Sequence, residues 1–189
     1  MTELDRTANV LGALAGTISD QAAAAMAGAA GLPARGSTAP LAALSAIAEF
    51  LDSPTVDQVG QVLGLSPSGA VRLVDRLAAD GLVTRGPGPD GRTRAVTLTA
   101  DGRAAAAAVT RARRDLLTRM LDGFAAADLA VLEPLLGRLM RNAVLAKAGG
   151  AWICRLCDLT ACERSAGRCP ALTAARERAD RAADPPGGD

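Results

Sequence analysis

Four cysteines are the residues with the clearest capacity for chemistry in this sequence. They are the only cysteines among 189 residues, and they lie in one short segment with the spacing C-x2-C-x4-C-x6-C-P. Four thiolates that converge can close a tetrahedral zinc site or hold an iron–sulfur cluster. The segment therefore predicts a metal centre with these ligands: Cys154, Cys157, Cys162 and Cys169.

The cysteine spacing leaves the choice of metal open. Structural zinc sites of four cysteines usually use two C-x2-C pairs, and only Cys154 and Cys157 form such a pair here. Pro170 is expected to open a terminal helix, which places Cys169 near amide donors that favour an anionic thiolate cluster. A closing Cys-Pro resembles ferredoxin ligation, and a C-terminal four-cysteine loop resembles the cluster loops of MerR-type redox sensors. We expect an iron–sulfur cluster, with zinc as the alternative.

Residues around the cysteines are expected to support the metal centre. Three arginines could offset the charge of a thiolate cluster: Arg155, Arg164 and Arg168. Trp152 directly precedes the first cysteine, and we expect it to seat the segment on long dimerisation helices as a hydrophobic plug.

The composition excludes several classes of function. Histidine is absent, which removes Ser-His-Asp and Cys-His catalysis, histidine metal ligands and a histidine pH switch. The sequence has neither a phosphate-binding loop nor a nucleophile elbow, so it argues against an enzyme. The N-terminus is acidic, at Glu3 and Asp5, and its apolar stretch is too short to span a bilayer. We expect a cytoplasmic protein with no membrane partner, in which disulfides are disfavoured.

A second group of residues has the spacing of a helix surface that reads DNA. Ser68, Arg72 and Arg76 recur every four residues and share one face of a helix predicted over 67–80. Arginines at this spacing can read base edges in a major groove and contact phosphates, although a solvated helix face would look the same. The opposite face is expected to be buried, through Ala70, Val71, Val74, Leu77 and Ala78.

Capping signals predict two short helices at this place. Thr55 and Gln58 have the form of a capping box and open a helix that ends at Gly64. Ser66 caps the next helix, with a proline in its first turn, and Gly81 ends it.

A hairpin and longer helices complete the predicted elements. Strands over 82–85 and 93–99 are joined by a Gly/Pro turn and form one hairpin. Two short helices followed by a hairpin are the winged helix-turn-helix arrangement. Longer helices are expected over 3–30, 38–51 (capped by Thr38), from just after Asp101-Gly102 to 122, over 127–148, and over 171–183.

The stretch from Leu65 to Gly102 resembles the MarR family of bacterial transcriptional regulators. The resemblance is carried by L-S-P-S-G-A-V-R-L-V-D-R-L at 65–77, D-G-L-V-T-R at 80–85, D-G-R at 90–92 and V-T-L-T-A-D-G at 96–102. It implies a homodimer with interlaced long helices and a winged helix on each lobe. It also implies double-stranded DNA with a pseudo-palindromic operator as the partner, read in two successive major grooves.

The resemblance assigns roles in the wing. The Asp-x-Arg of the family falls on Asp90 and Arg92, which implies that Arg92 enters the minor groove and Asp90 orients the wing. A narrow minor groove concentrates negative potential that attracts arginine. Arg94 is a further candidate for a phosphate contact. The complete set of candidate DNA-binding residues is Ser66, Ser68, Gly69, Arg72, Arg76, Asp90, Arg92 and Arg94.

The sequence thus predicts a mainly α fold, a winged helix-turn-helix with long dimerisation helices and one small β-hairpin wing. We expect a DNA-binding regulator that represses and whose four-cysteine site senses redox state. The alternative is a regulator that responds to a small lipophilic effector, with the cysteines as a zinc staple. The expected organisation is a dimerisation helix and linker over 1–37, the winged helix domain over 38–100, dimerisation helices over 101–148, the metal-binding segment with its terminal helix over 149–183, and a disordered tail over 184–189.

Overall fold

The computed structural model describes residues 2–33, 37–88 and 94–183, and within them the fold is mainly α, as the sequence predicts. The predicted tail over 184–189 lies outside these ranges. Short 3-10 turns occupy Ile153–Leu156 and Arg164–Ala166. The other elements are α1 Glu3–Ala29, α2 Ala39–Glu49, α3 Val56–Leu63, α4 Pro67–Ala79, β1 Val83–Pro87, β2 Arg94–Leu98, α5 Ala100–Met120, α6 Ala126–Ala146 and α7 Pro170–Ala183.

The helix-turn-helix, α3 and α4, begins and ends at the predicted signals. The Thr55 hydroxyl accepts from the Gln58 N–H at 3.2 Å, and the Gln58 side chain accepts from the Thr55 N–H at 2.8 Å. Gly64 ends α3 in the left-handed conformation, with φ of 64°. The Ser66 hydroxyl caps α4 by accepting from the Gly69 N–H at 3.2 Å. These local bonds satisfy helix-end groups that would otherwise lack partners.

Two boundary details differ from the sequence expectations. Thr38 makes no side-chain cap to α2; the hydroxyl of its neighbour Ser37 accepts from the Ala39 N–H instead, at 3.0 Å. Helix α5 begins at Ala100, so Asp101 and Gly102 lie in its first turn and do not precede it. The reason is the Thr99 hydroxyl, which caps the helix by accepting from the Gly102 N–H at 3.0 Å.

The main core lies between α2, α3, α4, the hairpin and α5. In α4 the buried residues are Ala70, Leu73, Val74 and Leu77, the i, i+3, i+4, i+7 stripe of one helix face. Val71 and Ala78 are exposed, contrary to expectation, because they fall outside that stripe. A second, smaller core joins α1 to α2 and α5 through Ala22, Met26, Ala27, Leu41 and Val109.

The hairpin is tied to the helices as well as to itself. Strands β1 and β2 pair antiparallel from Val83 opposite Leu98 to Pro87 opposite Arg94. The Val96 N–H donates to the carbonyl of Pro54 at 2.7 Å, so the loop before α3 extends the sheet edge. A two-stranded hairpin is marginal alone, and this bond helps hold it on the domain.

Helix α6 packs against α7, and the α1 and α6 surfaces keep many large apolar side chains exposed. The Arg141 guanidinium of α6 lies 2.6 Å from Oε2 of Glu177 on α7. Among the helices described, none is both long and apolar enough to cross a membrane. The exposed residues on the two surfaces are Leu4, Val10, Leu11 and Leu14 of α1, and Leu129, Val131, Leu135, Leu136 and Leu139 of α6.

Candidate nucleic-acid interface and cysteine segment

The face of α4 opposite the core is exposed and carries the predicted polar residues. Ser68, Arg72 and Arg76 are all exposed, in agreement with their shared helical spacing. In the ranges that the structure describes, no carboxylate forms an ion pair with Arg72 or Arg76. Both guanidinium groups are therefore available to phosphates and base edges.

The first turn of α4 is shaped by small residues. The Ser66 and Ser68 hydroxyls lie 3.4 Å apart, close to the helix N-terminus. A Cβ on Gly69 would lie 3.2 Å from the Ser66 hydroxyl oxygen, so glycine keeps the cap uncrowded. Ser66 and Gly69 thus position the start of the helix, and both serines of this turn, Ser66 and Ser68, are exposed.

An ion pair that the sequence did not suggest joins the hairpin to α4. The Arg85 guanidinium of β1 lies 2.7 Å from Oδ1 of Asp75 on α4 and also donates to the Val71 carbonyl at 3.5 Å. Asp75 is adjacent to Arg76 in α4. The one hint in the sequence was its negative charge, which is opposite to the charges of Arg72 and Arg76 on the exposed face of the helix. The pair links the hairpin to α4 beside the exposed arginine face.

The predicted wing residues are only partly described. Arg94 is exposed at the start of β2, opposite Pro87, where a phosphate could reach it. Asp90 and Arg92 lie outside the described residues, and their roles stay predictions from the family resemblance.

Three of the four cysteines pack in one small apolar cluster. Cys169 is buried, and it packs in a small apolar cluster with Cys154, Cys162 and Val144 of α6. Cys169 directly precedes the first residue of α7, so the predicted placement at a helix N-terminus is found. Cys157 belongs to the same group through its interaction with Cys154.

The thiols influence one another's ionisation. The pKa of Cys154 is lowered to about 6, chiefly because the Cys157 thiol donates a hydrogen bond to its thiolate, with support from the Arg164 guanidinium. The same hydrogen bond is the main reason that the pKa of Cys157 is raised. Burial raises the pKa of Cys162. One thiolate stabilised by neighbouring thiols is a chemically responsive arrangement.

The side chains are not arranged around a metal position as they stand. Within the described ranges, no three cysteine, aspartate or glutamate side chains form a group that could hold a metal ion. Of the three arginines expected to offset cluster charge, Arg164 lies near Cys154, whereas Arg168 pairs with Glu163 and Arg155 donates to the Trp152 carbonyl. The identity of any metal therefore stays a prediction.

Trp152 contacts a different surface from the one expected. Its indole stacks on Phe50, directly after α2, with ring centroids 6.1 Å apart and planes inclined by 3°. Trp152 is 46% exposed, so it is not the hydrophobic plug that was expected, although it lines a cavity together with Val144 of the dimerisation helix α6. Phe50 at the end of α2 offers it a flat aromatic surface to stack on.

An open cavity of about 740 Å³ lies between α2, β2 and α5. Apolar side chains such as Ile47 and Val96 line it, together with Glu49, Arg103 and Arg111. This volume is within the range of small-molecule sites. It is one cavity among the described residues whose size suits the small effector considered from the sequence.

Comparison with known proteins finds a family match over the winged helix. Residues 37–93 match the sequence pattern of the MarR family. No curated protein matches the sequence. Among solved structures, a MarR family protein from Bacillus stearothermophilus is 22% identical with a TM-score of 0.62, and the match covers 75% of this chain and 97% of that one.

Two further solved structures have the same fold. A protein from Mycobacterium tuberculosis is 23% identical with a TM-score of 0.63, covering 74% of this chain and 93% of that one. A MarR family transcriptional regulator from Rhodococcus sp. RHA1 is 22% identical with a TM-score of 0.54, covering 74% and 95%. Residues 37–93 are therefore similar to the MarR family, and the chain has the winged helix fold of these solved structures.

Proposed function

We propose that this protein is a transcriptional regulator that binds double-stranded DNA through α4 and the wing. The observation that carries the proposal is the exposed face of α4 in a region similar to the MarR family, where Arg72 and Arg76 have no carboxylate partner among the described residues. Arginines on an exposed helix face can form hydrogen bonds with guanine edges and with phosphates. A regulator of this kind must be in the compartment that holds the chromosome. The cytoplasmic location expected from the sequence is therefore part of the proposal.

The proposed regulator acts as a homodimer. Leu14 of α1 and Leu136 of α6 are each 51% exposed, and both lie among other exposed apolar residues. Apolar surfaces of this kind are usually covered by a partner. A second copy would bury them and would set two α4 helices one helical turn of DNA apart. Light scattering on the full chain should give twice the 19.0 kDa chain mass.

Selection from a random DNA duplex library tests the DNA-binding proposal. The full chain should enrich one pseudo-palindromic sequence with half-sites about 10 bp apart, centre to centre. Transcription in vitro from a promoter that contains this sequence should fall when the protein is added, because we propose a repressor. A library that stays random, with binding that depends only on salt, would remove the proposed sequence-specific function.

We further propose that the four-cysteine segment holds a metal centre, either an iron–sulfur cluster or zinc. Support comes from the donor set, since four thiols lie in one neighbourhood and Cys154 already interacts with Cys157 and Cys169. Thiolate ligands suit both metals. An iron–sulfur centre would let the regulator sense redox state.

Anaerobic purification separates the metal candidates. An iron–sulfur protein would be coloured and would contain iron and acid-labile sulfide, whereas a zinc protein would be colourless with one zinc per four cysteines. Operator affinity measured before and after exposure to air tests the sensory role. The metal proposal would be overturned if the purified protein contained less than one-tenth of an equivalent of any metal per chain.

A second candidate function is supported by the cavity between α2, β2 and α5. In that case a small lipophilic molecule with a negatively charged group would be the effector, and zinc in the cysteine segment would be structural. Arg103 and Arg111 would face the charge of the ligand, and Ile47 and Val96 its apolar part. Salicylate used as a probe would weaken operator binding in this case, and Arg111→Ala would remove the response.

A further inference from the structure

The cysteine segment lies against the helix-turn-helix. We propose that residues 150–159, which we name the strap, clamp the turn between α3 and α4. Through the strap, the state of the four cysteines then sets the affinity of the protein for its operator. This inference rests on the proposed DNA-binding function and adds the regulation of that site. Contacts at the turn, at the ends of α2 and α3, and in the core join the strap to elements that position α4.

The closest contact is at the turn itself. Gly64 has a φ of 64°, and a Cβ added to it would lie 2.3 Å from the backbone nitrogen of Ala151 and 2.7 Å from the carbonyl carbon of Gly150. Real Cβ atoms do not approach other atoms this closely. The turn and the strap therefore meet backbone to backbone, and only glycine fits at this position.

Trp152 joins the strap to α3 and α2. Its backbone N–H donates to the Val62 carbonyl at 2.7 Å, and this carbonyl lies in the last turn of α3, where the helix itself supplies no donor. Its indole stacks on Phe50 at the end of α2. Satisfying a helix-end carbonyl and stacking two aromatic rings both favour the docked strap.

The rest of the strap is anchored in the core and at α2. Leu156 packs against both the main core and the smaller core between α1 and α5. The Leu159 N–H donates to Oε2 of Glu49 in the last turn of α2, at 3.1 Å. Because α4 packs on the main core, a change in strap position reaches the reading helix through packed atoms.

The cysteines connect the strap to the other half of the molecule. Cys154 and Cys157 belong to the strap, whereas Cys162 and Cys169 lie beyond it, and Cys169 adjoins α7. Helix α7 is fixed to α6 by the pair between Arg141 and Glu177. Four sulfurs that share one metal would hold the strap between α3 and α6–α7. Without that link the strap would be held only by its contacts to the turn, α2 and the core, and its release would loosen the turn.

The first experiment replaces Gly64 by alanine in the full chain. The added methyl must expel the strap, and it also strains a left-handed position. Gly81→Ala is the matched control, because Gly81 also follows a helix, has φ of 72°, and has no atom within 4 Å of an added Cβ. Trp152 is the sole tryptophan and tyrosine is absent, so tryptophan emission reports the surroundings of this one half-exposed ring, which stacks on Phe50 when the strap is docked.

The expected results distinguish strap release from simple strain. Gly64→Ala should shift the tryptophan emission to longer wavelength and weaken binding to the selected operator by about 5- to 150-fold, the range of ordinary allosteric couplings. Gly81→Ala should change neither the emission nor the operator affinity by more than twofold. If Gly64→Ala does not fold, Trp152→Ala removes the stacked ring without straining the turn and should weaken operator binding in the same way.

The second experiment asks whether the cysteines act through the strap. Cys169→Ser should weaken operator binding when Gly64 is present and should have no further effect in the Gly64→Ala background, because the strap is already released there. Equal losses in both backgrounds would overturn the inference while leaving DNA binding intact. Unchanged emission together with unchanged affinity in Gly64→Ala would also overturn it. A wild-type chain that selects no duplex sequence would overturn the proposed function first, and this regulation with it.

Discussion

The winged helix domain and the four-cysteine segment are held together by different means. The domain has capped helices and a core in which Leu44, Val74 and Val96 are completely buried. The cysteine segment has two short 3-10 turns, a left-handed Glu163 with φ of 49°, and a small core around Cys169. Apolar burial stabilises the domain, whereas the segment has only a small core and depends more on its contacts with the rest of the chain.

This difference implies an unequal dependence between the two regions. The strap takes its position from Phe50, Val62 and Gly64, which belong to the domain. The domain core needs no cysteine side chain to close. We therefore expect damage to the thiols to change the segment and the activity, and damage to the domain core to unfold both.

The largest expected effect is the loss of metal from Cys162→Ser. Removing one of four thiolates should remove most of the metal, because serine is a poor ligand for either candidate. The helical signal in circular dichroism should stay close to that of the unaltered protein, since the domain core contains no cysteine. Metal content per chain is the decisive measurement.

Ser165→Ala provides the matched control for this change. Ser165 is exposed in the same segment, and the variant should keep its full metal content. Equal metal in both variants would mean that Cys162 is not a ligand. A collapse of the helical signal in Cys162→Ser would contradict the independence of the domain core.

The next effect in size is the destabilisation of the domain by Gly102→Ala. A Cβ at this position would lie 1.9 Å from the carbonyl oxygen of Leu82, so the first turn of α5 would have to move away from the start of the hairpin. Overpacking against backbone should lower the free energy of unfolding by about 1–3 kcal/mol, near the upper end of that range. Urea unfolding at a fixed protein concentration measures it.

Gly86→Ala controls for a glycine replacement in the same domain. No atom lies within 4 Å of a Cβ added to Gly86, so the change should be small. If the two variants unfold at the same urea concentration, the close approach of α5 to Leu82 does not contribute to the stability of the domain.

Local interactions explain how much of the fold was predictable from the sequence. The Thr55–Gln58 box, the Ser66 cap and the Gly64 stop each involve groups within a few residues, so their residue types suffice to predict them. The α5 start was misplaced because Thr99 is also a good cap, and the choice depended on the packing of Gly102 under Leu82.

Contacts between segments that lie far apart in the chain could not be predicted from the sequence. The partner of Arg85 could not be chosen from spacing, because Asp75 lies on another element and is nearer in the chain to Arg72 and Arg76. The docking of Trp152 on Phe50 joins residues about 100 positions apart, and aromatic character alone does not identify the partner. Cys154, Cys162 and Cys169 share one small cluster because they are close in the chain, but their spacing does not decide whether the sulfurs converge on a metal.

The α4 surface should lose discrimination in Arg72→Ala. Binding to the selected operator should weaken by about 1–3 kcal/mol, the contribution of one good base contact, and binding to random duplex should weaken less. Arg119→Ala is the control, because Arg119 is exposed at the far end of α5. Titration of both duplexes at the same salt concentration measures the difference. Equal weakening on operator and random DNA would make Arg72 a phosphate contact.

The smallest effect concerns the cap of α3, and it tests whether local bonds hold the domain as proposed. Thr55→Ala removes the hydroxyl that accepts from the Gln58 N–H, and the loss should lower the free energy of unfolding by about 1 kcal/mol. Thr38→Ala is a closely matched control, since Thr38 also precedes a helix and makes no side-chain cap bond. The metal content should be unchanged in both variants, because neither hydroxyl contacts the strap. If the two variants have similar unfolding midpoints in urea, the hydrogen bond from the Gln58 N–H to the Thr55 hydroxyl does not explain why threonine stands at position 55. A loss of metal in Thr55→Ala alone would show that the segment depends on the position of α3 more closely than on its own thiols.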